Sequence, residues 1–135
     1  MTSPTRSAQV IGTGLIGGSI GMALRRRGWH VTGSDANPAV AASAVELGAL
    51  DVEGFDPDAE VVFVATPVSQ VPTAAHRALG LNRRGIVTDV GSVKAPIVDA
   101  VDDPRFVGGH PMAGSEQEGV DGADPDLFEG ATWVL

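Results

Sequence analysis

The chain has 135 residues, with 18 glycines, 9 prolines and neither cysteine nor tyrosine. No strict glycine period runs through it, which excludes a collagen-type repeat; its 43% hydrophobic content excludes a disordered chain, and the lack of cysteine excludes disulfides and thiolate chemistry. The length suits one domain, and a formal net charge of −8 argues against non-specific nucleic-acid binding.

The charge is unevenly spread. Residues 1–50 carry four arginines against Asp35 and Glu46, whereas residues 51–135 carry five bases against fifteen acids. Residues 8–24 are uncharged and mostly apolar, superficially like a signal or membrane segment. Five glycines weaken it as a free-standing helix, and Arg25-Arg26-Arg27 follows it instead of a cleavage site. The expectation is a soluble, cytoplasmic protein without a membrane partner.

In chain order, residues 1–7 are polar and expected to form a disordered leader. Residues 8–11 read as a buried strand ended by Gly12. Residues 15–27 read as a helix stopped at Gly28, with the arginine run as a solvated end that complements the helix dipole. Residues 30–34 form a second strand. Asn37-Pro38 opens a helix that runs to about Leu47 and stops at Gly48. Residues 50–52 suggest a very short strand. The apolar run 61–65 suits a central parallel strand. A helix over 72–79, a strand over 86–90, a short helix over 96–101 and a strand over 106–109 follow. Residues 111–130 look loop-rich, and 132–135 look like a strand. Alternating strands and helices predict an α/β domain with a doubly wound, mostly parallel sheet and helices on both faces, the Rossmann-type arrangement.

Gly12-Thr13-Gly14-Leu15-Ile16-Gly17 matches G-x-G-x-x-G directly between a predicted strand and a predicted helix. Gly12 permits the turn, Gly14 lets a pyrophosphate approach the backbone, and Gly17 lets helix and strand pack closely. The helix N-terminus supplies N–H groups for phosphates. Asp35 lies 18 residues beyond Gly17, where a carboxylate accepts hydrogen bonds from ribose hydroxyls. No base occurs in residues 36–44 to hold a 2′-phosphate, which favours NAD over NADP. The bland alternative is that the glycines serve helix packing alone and Asp35 a turn.

Three further stretches fall at predicted strand ends: Ala65-Thr66-Pro67-Val68, residues 89–94 and residues 108–116. Carboxyl ends of strands line the ligand crevice of doubly wound folds, so Thr66, Ser92 and His110 are expected to face one cleft. At this point the sequence resembles the prephenate dehydrogenase family, which includes arogenate and cyclohexadienyl dehydrogenases. The pieces that carry the resemblance are GTGLIGGS (12–19), DANP (35–38), VFVATPV (62–68), TDVGSVK (88–94), FVGGHPMAGSEQEG (106–119), LFEG (127–130) and WVL (133–135). The GSVK and GGHPMAGSE stretches are the most specific of these.

The resemblance implies NAD-dependent oxidative decarboxylation of prephenate to 4-hydroxyphenylpyruvate, on the route to tyrosine. Arogenate is the alternative substrate, and a non-catalytic dinucleotide-sensing module the alternative class. It implies cofactor contacts from Gly12, Thr13, Gly14, Leu15, Ile16, Gly17, Asp35, Ala65, Thr66, Pro67 and Ser92. His110 becomes the group that hydrogen-bonds the substrate C4 hydroxyl and takes its proton, a task suited to an imidazole near neutral pH. Ser92 contacts that histidine, although it also suits a helix N-cap before Ala95-Pro96. Ser115 and Glu116 fall near the substrate, with loop capping as the rival role; Lys94 meets either an anion or solvent. His30 and His76 match no motif.

Family members also carry a mostly helical C-terminal domain that forms the homodimer and completes the substrate site. Residues 8–135 are therefore expected to be a dinucleotide-binding domain truncated at its C-terminal end. Such a chain should bind NAD weakly and turn over little prephenate alone.

Overall fold

The computed structural model describes residues 6–90 and 103–108, together with the backbone of 110–111 and 133–134. The expected helix over 96–101 and most of the expected loop over 111–130 lie outside the described residues.

β1 (Ser7–Ile11) begins one residue earlier than the sequence suggests, because Ser7 pairs with His30. It leads into α1 (Leu15–Arg26), β2 (His30–Ser34) and α2 (Pro38–Glu46). Asn37 caps α2, its side-chain oxygen accepting from the Ala39 N–H at 3.0 Å. β3 is Val52–Glu53; Leu50, expected in that strand, lies before it and is buried in the core. β4 (Val61–Val64) is followed by a 3₁₀ turn (Val68–Gln70), α3 (Val71–Leu81) and β5 (Ile86–Asp89). β6 is Phe106–Val107.

These strands form one parallel sheet of order β3-β2-β1-β4-β5-β6. Alternation along each strand sends neighbouring side chains to opposite faces. Val10 and Val31 pack with Ile20 of α1 and Ala44 of α2 on one face. Val62, Val64 and Val87 pack with Val71, Ala75 and Ala78 of α3 on the other, with Ile11 beside them. Helices therefore cover both faces. The apolar run 61–65 is central, as expected, because β4 lies between β1 and β5.

The strand expected over 132–135 is β8 (Trp133–Val134), which pairs antiparallel with β7 (His110–Pro111), apart from the parallel sheet. One expectation is revised. Arg25 is not a freely solvated charge. Its guanidinium donates to the Asp51 carboxylate at 3.0 Å and to the Gly48 carbonyl at 2.9 Å, tying α1 to the segment before β3. Among the described residues, no helix is long and apolar enough to cross a membrane.

Candidate functional site

In this strand order the winding direction reverses between β1 and β4, and a crevice opens at their carboxyl ends. Both flanking turns meet there backbone to backbone. Gly12 has φ +90°, and its N–H donates to the Ser34 carbonyl at 2.8 Å. A Cβ on Gly12 would stand 2.6 Å from the Ala65 carbonyl oxygen. A Cβ on Gly17 would overlap the Gly12 carbonyl oxygen, so α1 lies against the turn that precedes it. Only glycine meets both demands.

Gly14 is the N-cap of α1 and supplies no side-chain cap, and the first helical turn holds no acid. Its leading N–H groups and the positive end of the dipole are left to an external anion. Leu15 and Ile16 open the helix, with Ile16 partly buried against the α1/α2 face of the sheet. A main-chain cradle of this kind fits a pyrophosphate.

Asp35 follows β2. Its Oδ2 accepts from the Thr13 N–H at 2.9 Å and from the Thr13 hydroxyl at 3.3 Å. Its Oδ1 accepts from the Asn37 N–H at 2.9 Å. A carboxylate offers about four acceptor sites; these three bonds anchor it and leave capacity on Oδ1. Thr13 itself is fully buried, so its side chain holds Asp35 instead of facing a ligand.

Asp35 and Gly12 border a cleft of about 540 Å³. Ile11, Ala74 and Ala78 give it an apolar lining, while Thr66, Thr73 and Arg77 add polar groups. The Thr66 Oγ1 is the one buried side-chain oxygen without a hydrogen-bond partner among the described residues. Ala65 and Pro67 flank Thr66 after β4, the Ala65 N–H donating to the Ile11 carbonyl at 2.7 Å. Among the described residues no cluster of three or more His, Cys, Asp or Glu side chains could hold a metal ion.

Of the expected site residues, Gly12, Asp35 and Thr66 line one cleft. Gly14, Leu15, Ile16 and Gly17 lie in the turn and first residues of α1 beside it, Thr13 is buried behind Asp35, Ile16 packs into the core, and Ala65 and Pro67 flank Thr66. Ser92, Ser115 and Glu116 lie outside the described residues, and His110 is described through its backbone in β7. Sequence reasoning missed Phe55, Thr73 and Arg77 as cleft residues. The i, i+4 spacing of Thr73 and Arg77 was legible; that this helical face borders a ligand cleft was not.

The family model described as "Prephenate dehydrogenase, nucleotide-binding domain" matches residues 20–135. The chain is 39% identical over 141 aligned residues to a prephenate dehydrogenase of Bacillus subtilis, covering 92% of this chain and 37% of that protein. The crystal structure of a prephenate dehydrogenase from A. aeolicus, in complex with hydroxyphenyl propionate and NAD+, superposes with a TM-score of 0.87 at 31% identity, covering 98% of this chain and 51% of that one. A Synechocystis arogenate dehydrogenase structure gives a TM-score of 0.83 at 33% identity, covering 94% of this chain and 48% of that one. The chain thus spans 37% to 39% of the length of the first curated relatives it matches.

Proposed function

Since the chain belongs to the prephenate dehydrogenase family, matching its nucleotide-binding domain, we propose that it holds NAD+ for the oxidative decarboxylation of prephenate in the cytoplasm. The observation that carries the cofactor half is the coupling of the glycine turn to Asp35 through Thr13. Phosphate cradle and ribose acceptor are thereby set at a fixed separation.

The N–H groups at the start of α1 bind the pyrophosphate, and the free acceptor site of Asp35 takes a ribose hydroxyl. An ionised Asp35 repels a 2′-phosphate, which favours NAD+ over NADP+. When bound, the nicotinamide supplies the hydride acceptor. By family resemblance, His110 takes the proton of the substrate C4 hydroxyl as the C4–H hydride departs. The C1 carboxylate leaves as CO₂, its bonding electrons complete the aromatic ring, and the C4 oxygen, left as a phenolate, takes its proton back from His110 to end as a phenol. Ser92 orients His110, and Ser115 and Glu116 border the substrate. Arogenate differs from prephenate only in bearing an amino group in place of the keto group on its side chain. Homodimerisation belongs, on the same resemblance, to the family's helical domain.

Calorimetric titration with NAD+ and NADP+ tests the cofactor assignment; saturable NAD+ binding with weaker NADP+ binding is expected, and preference for NADP+ refutes it. NADH absorbance with prephenate and with arogenate, measured in the full-length context that includes the helical domain, then reports the substrate. His110→Asn should abolish that signal while NAD+ still binds, and unchanged turnover would remove His110 from the chemistry.

A further inference from the structure

Gln9 sits in the middle of β1 and is fully buried. A buried amide is costly unless both its ends are bonded. Here both ends go to one short segment. The Gln9 Nε2 donates to the Gly54 carbonyl at 2.9 Å, and its Oε1 accepts from the Asp56 N–H at 2.8 Å. The Gly54 N–H donates to the Gly33 carbonyl of β2 at 2.9 Å. Residues 54 and 56 are therefore clamped to the sheet on either side of Phe55.

Phe55 is half-buried and lines the same cleft as Gly12, Asp35 and Ala36. Ala74 and Ala78 of α3 line that cleft too. A dinucleotide with its pyrophosphate on the glycine turn and its ribose on Asp35 would place its base next in line, inside this apolar slot. An aromatic ring in such a wall offers a face on which a flat heteroaromatic base stacks. Ordering that ring before binding reduces the conformational cost of making the contact.

We propose that Phe55 is the stacking surface for the adenine of the cofactor, and that Gln9 is the positioning residue that holds it there through residues 54 and 56. The inference rests on the dinucleotide reading above and adds to it two residues that carry no motif.

The test is calorimetry on the 135-residue chain with ADP-ribose, NAD+ and nicotinamide mononucleotide as probes. Phe55→Ala should weaken ADP-ribose and NAD+ by about tenfold and leave the mononucleotide unchanged. Phe55→Leu keeps apolar bulk without a π-face, so it guards against a folding defect; it should behave like Phe55→Ala, and Phe55→Trp like the wild type. Gln9→Met removes the amide at similar size. It should weaken ADP-ribose several-fold, and adding Phe55→Ala to it should cost little more, because both act on one contact. Equal losses for all three probes in Gln9→Met would reduce Gln9 to a purely structural role and overturn that half of the proposal. Wild-type affinity in Phe55→Leu, alongside a loss in Asp35→Asn, overturns the stacking role while the dinucleotide reading stands. A wild-type chain that binds neither ADP-ribose nor NAD+ overturns both.

Discussion

The Asp35 carboxylate accepts hydrogen bonds from both the backbone N–H and the hydroxyl of Thr13, at 2.9 and 3.3 Å. Two segments 22 residues apart are joined by a single Oδ2 atom. Asp35→Asn keeps the size but replaces one acceptor with a donor and removes the charge. Hydrogen bonds to charged groups contribute about 1.5–3 kcal/mol, so NAD+ affinity should fall by about tenfold or more. The NAD+ to NADP+ affinity ratio should narrow as the repulsion of a 2′-phosphate disappears. Parallel titrations of both cofactors check this, and an unchanged ratio would refute it.

Glycines in this chain should respond to alanine with opposite signs. Gly17→Ala drives a methyl into the Gly12 carbonyl. The obstructing carbonyl is backbone and cannot swing aside, so relief requires α1 to move; a loss of about 1–3 kcal/mol is expected. Gly80 lies in α3 with nothing within 4 Å of its Cβ position. Gly80→Ala should stabilise by roughly 0.5–1 kcal/mol. Urea denaturation of the two variants gives both signs in one experiment.

Asn82 ends α3 and is buried. Its Nδ2 donates to the Ala59 carbonyl at 3.0 Å, while its Oδ1 accepts from the Arg84 N–H at 3.1 Å and from the Gly85 N–H. The Arg105 guanidinium reaches the Asn82 carbonyl at 3.1 Å and also bonds the Leu79 carbonyl, satisfying the helix C-terminus. Asn82→Ala strands an inward-facing carbonyl and N–H, at a cost of about 1–3 kcal/mol. Measured stability within 0.5 kcal/mol of wild type would contradict this role.

Glu60 provides a pH signature. The hydrogen bond from Arg6, followed by that from the Ser7 N–H, holds its carboxyl below the usual range. A depressed folded value means that Glu60 stabilises above the ordinary carboxylate range and loses that effect as pH falls through its folded value. The wild type should melt slightly above Glu60→Gln at pH 7, and the two should converge as pH falls below the folded value of Glu60. Both side chains are well exposed, so the difference should also shrink in high salt. A gap that stays constant as the pH is lowered into the acid range would assign the effect to packing.

Much of the site was legible because its chemistry is local. Gly12, Gly14 and Gly17 fall within six residues, and backbone sterics alone demand glycine where a strand turns directly into a helix. Asp35 was legible because the length of one helix and one strand sets its distance from that turn. Phe55 was not. It carries no spacing signal and follows a strand of two residues, and its place in the cleft depends on Gln9, 46 residues earlier.

The sequence by itself determined the alternation of strands and helices, the phosphate turn and the acid that follows it, since each depends on periodicity, caps and torsional limits within a few residues. Tertiary structure alone decided the strand order, the anchoring of Asp35 by Thr13, the tie from Arg25 to Asp51 and the Gln9 clamp on Phe55. These are pairings between distant segments. They form only when two helices and a third, packed on opposite faces of one sheet, bring those segments within hydrogen-bond reach, and no local pattern encodes which distant partner will arrive.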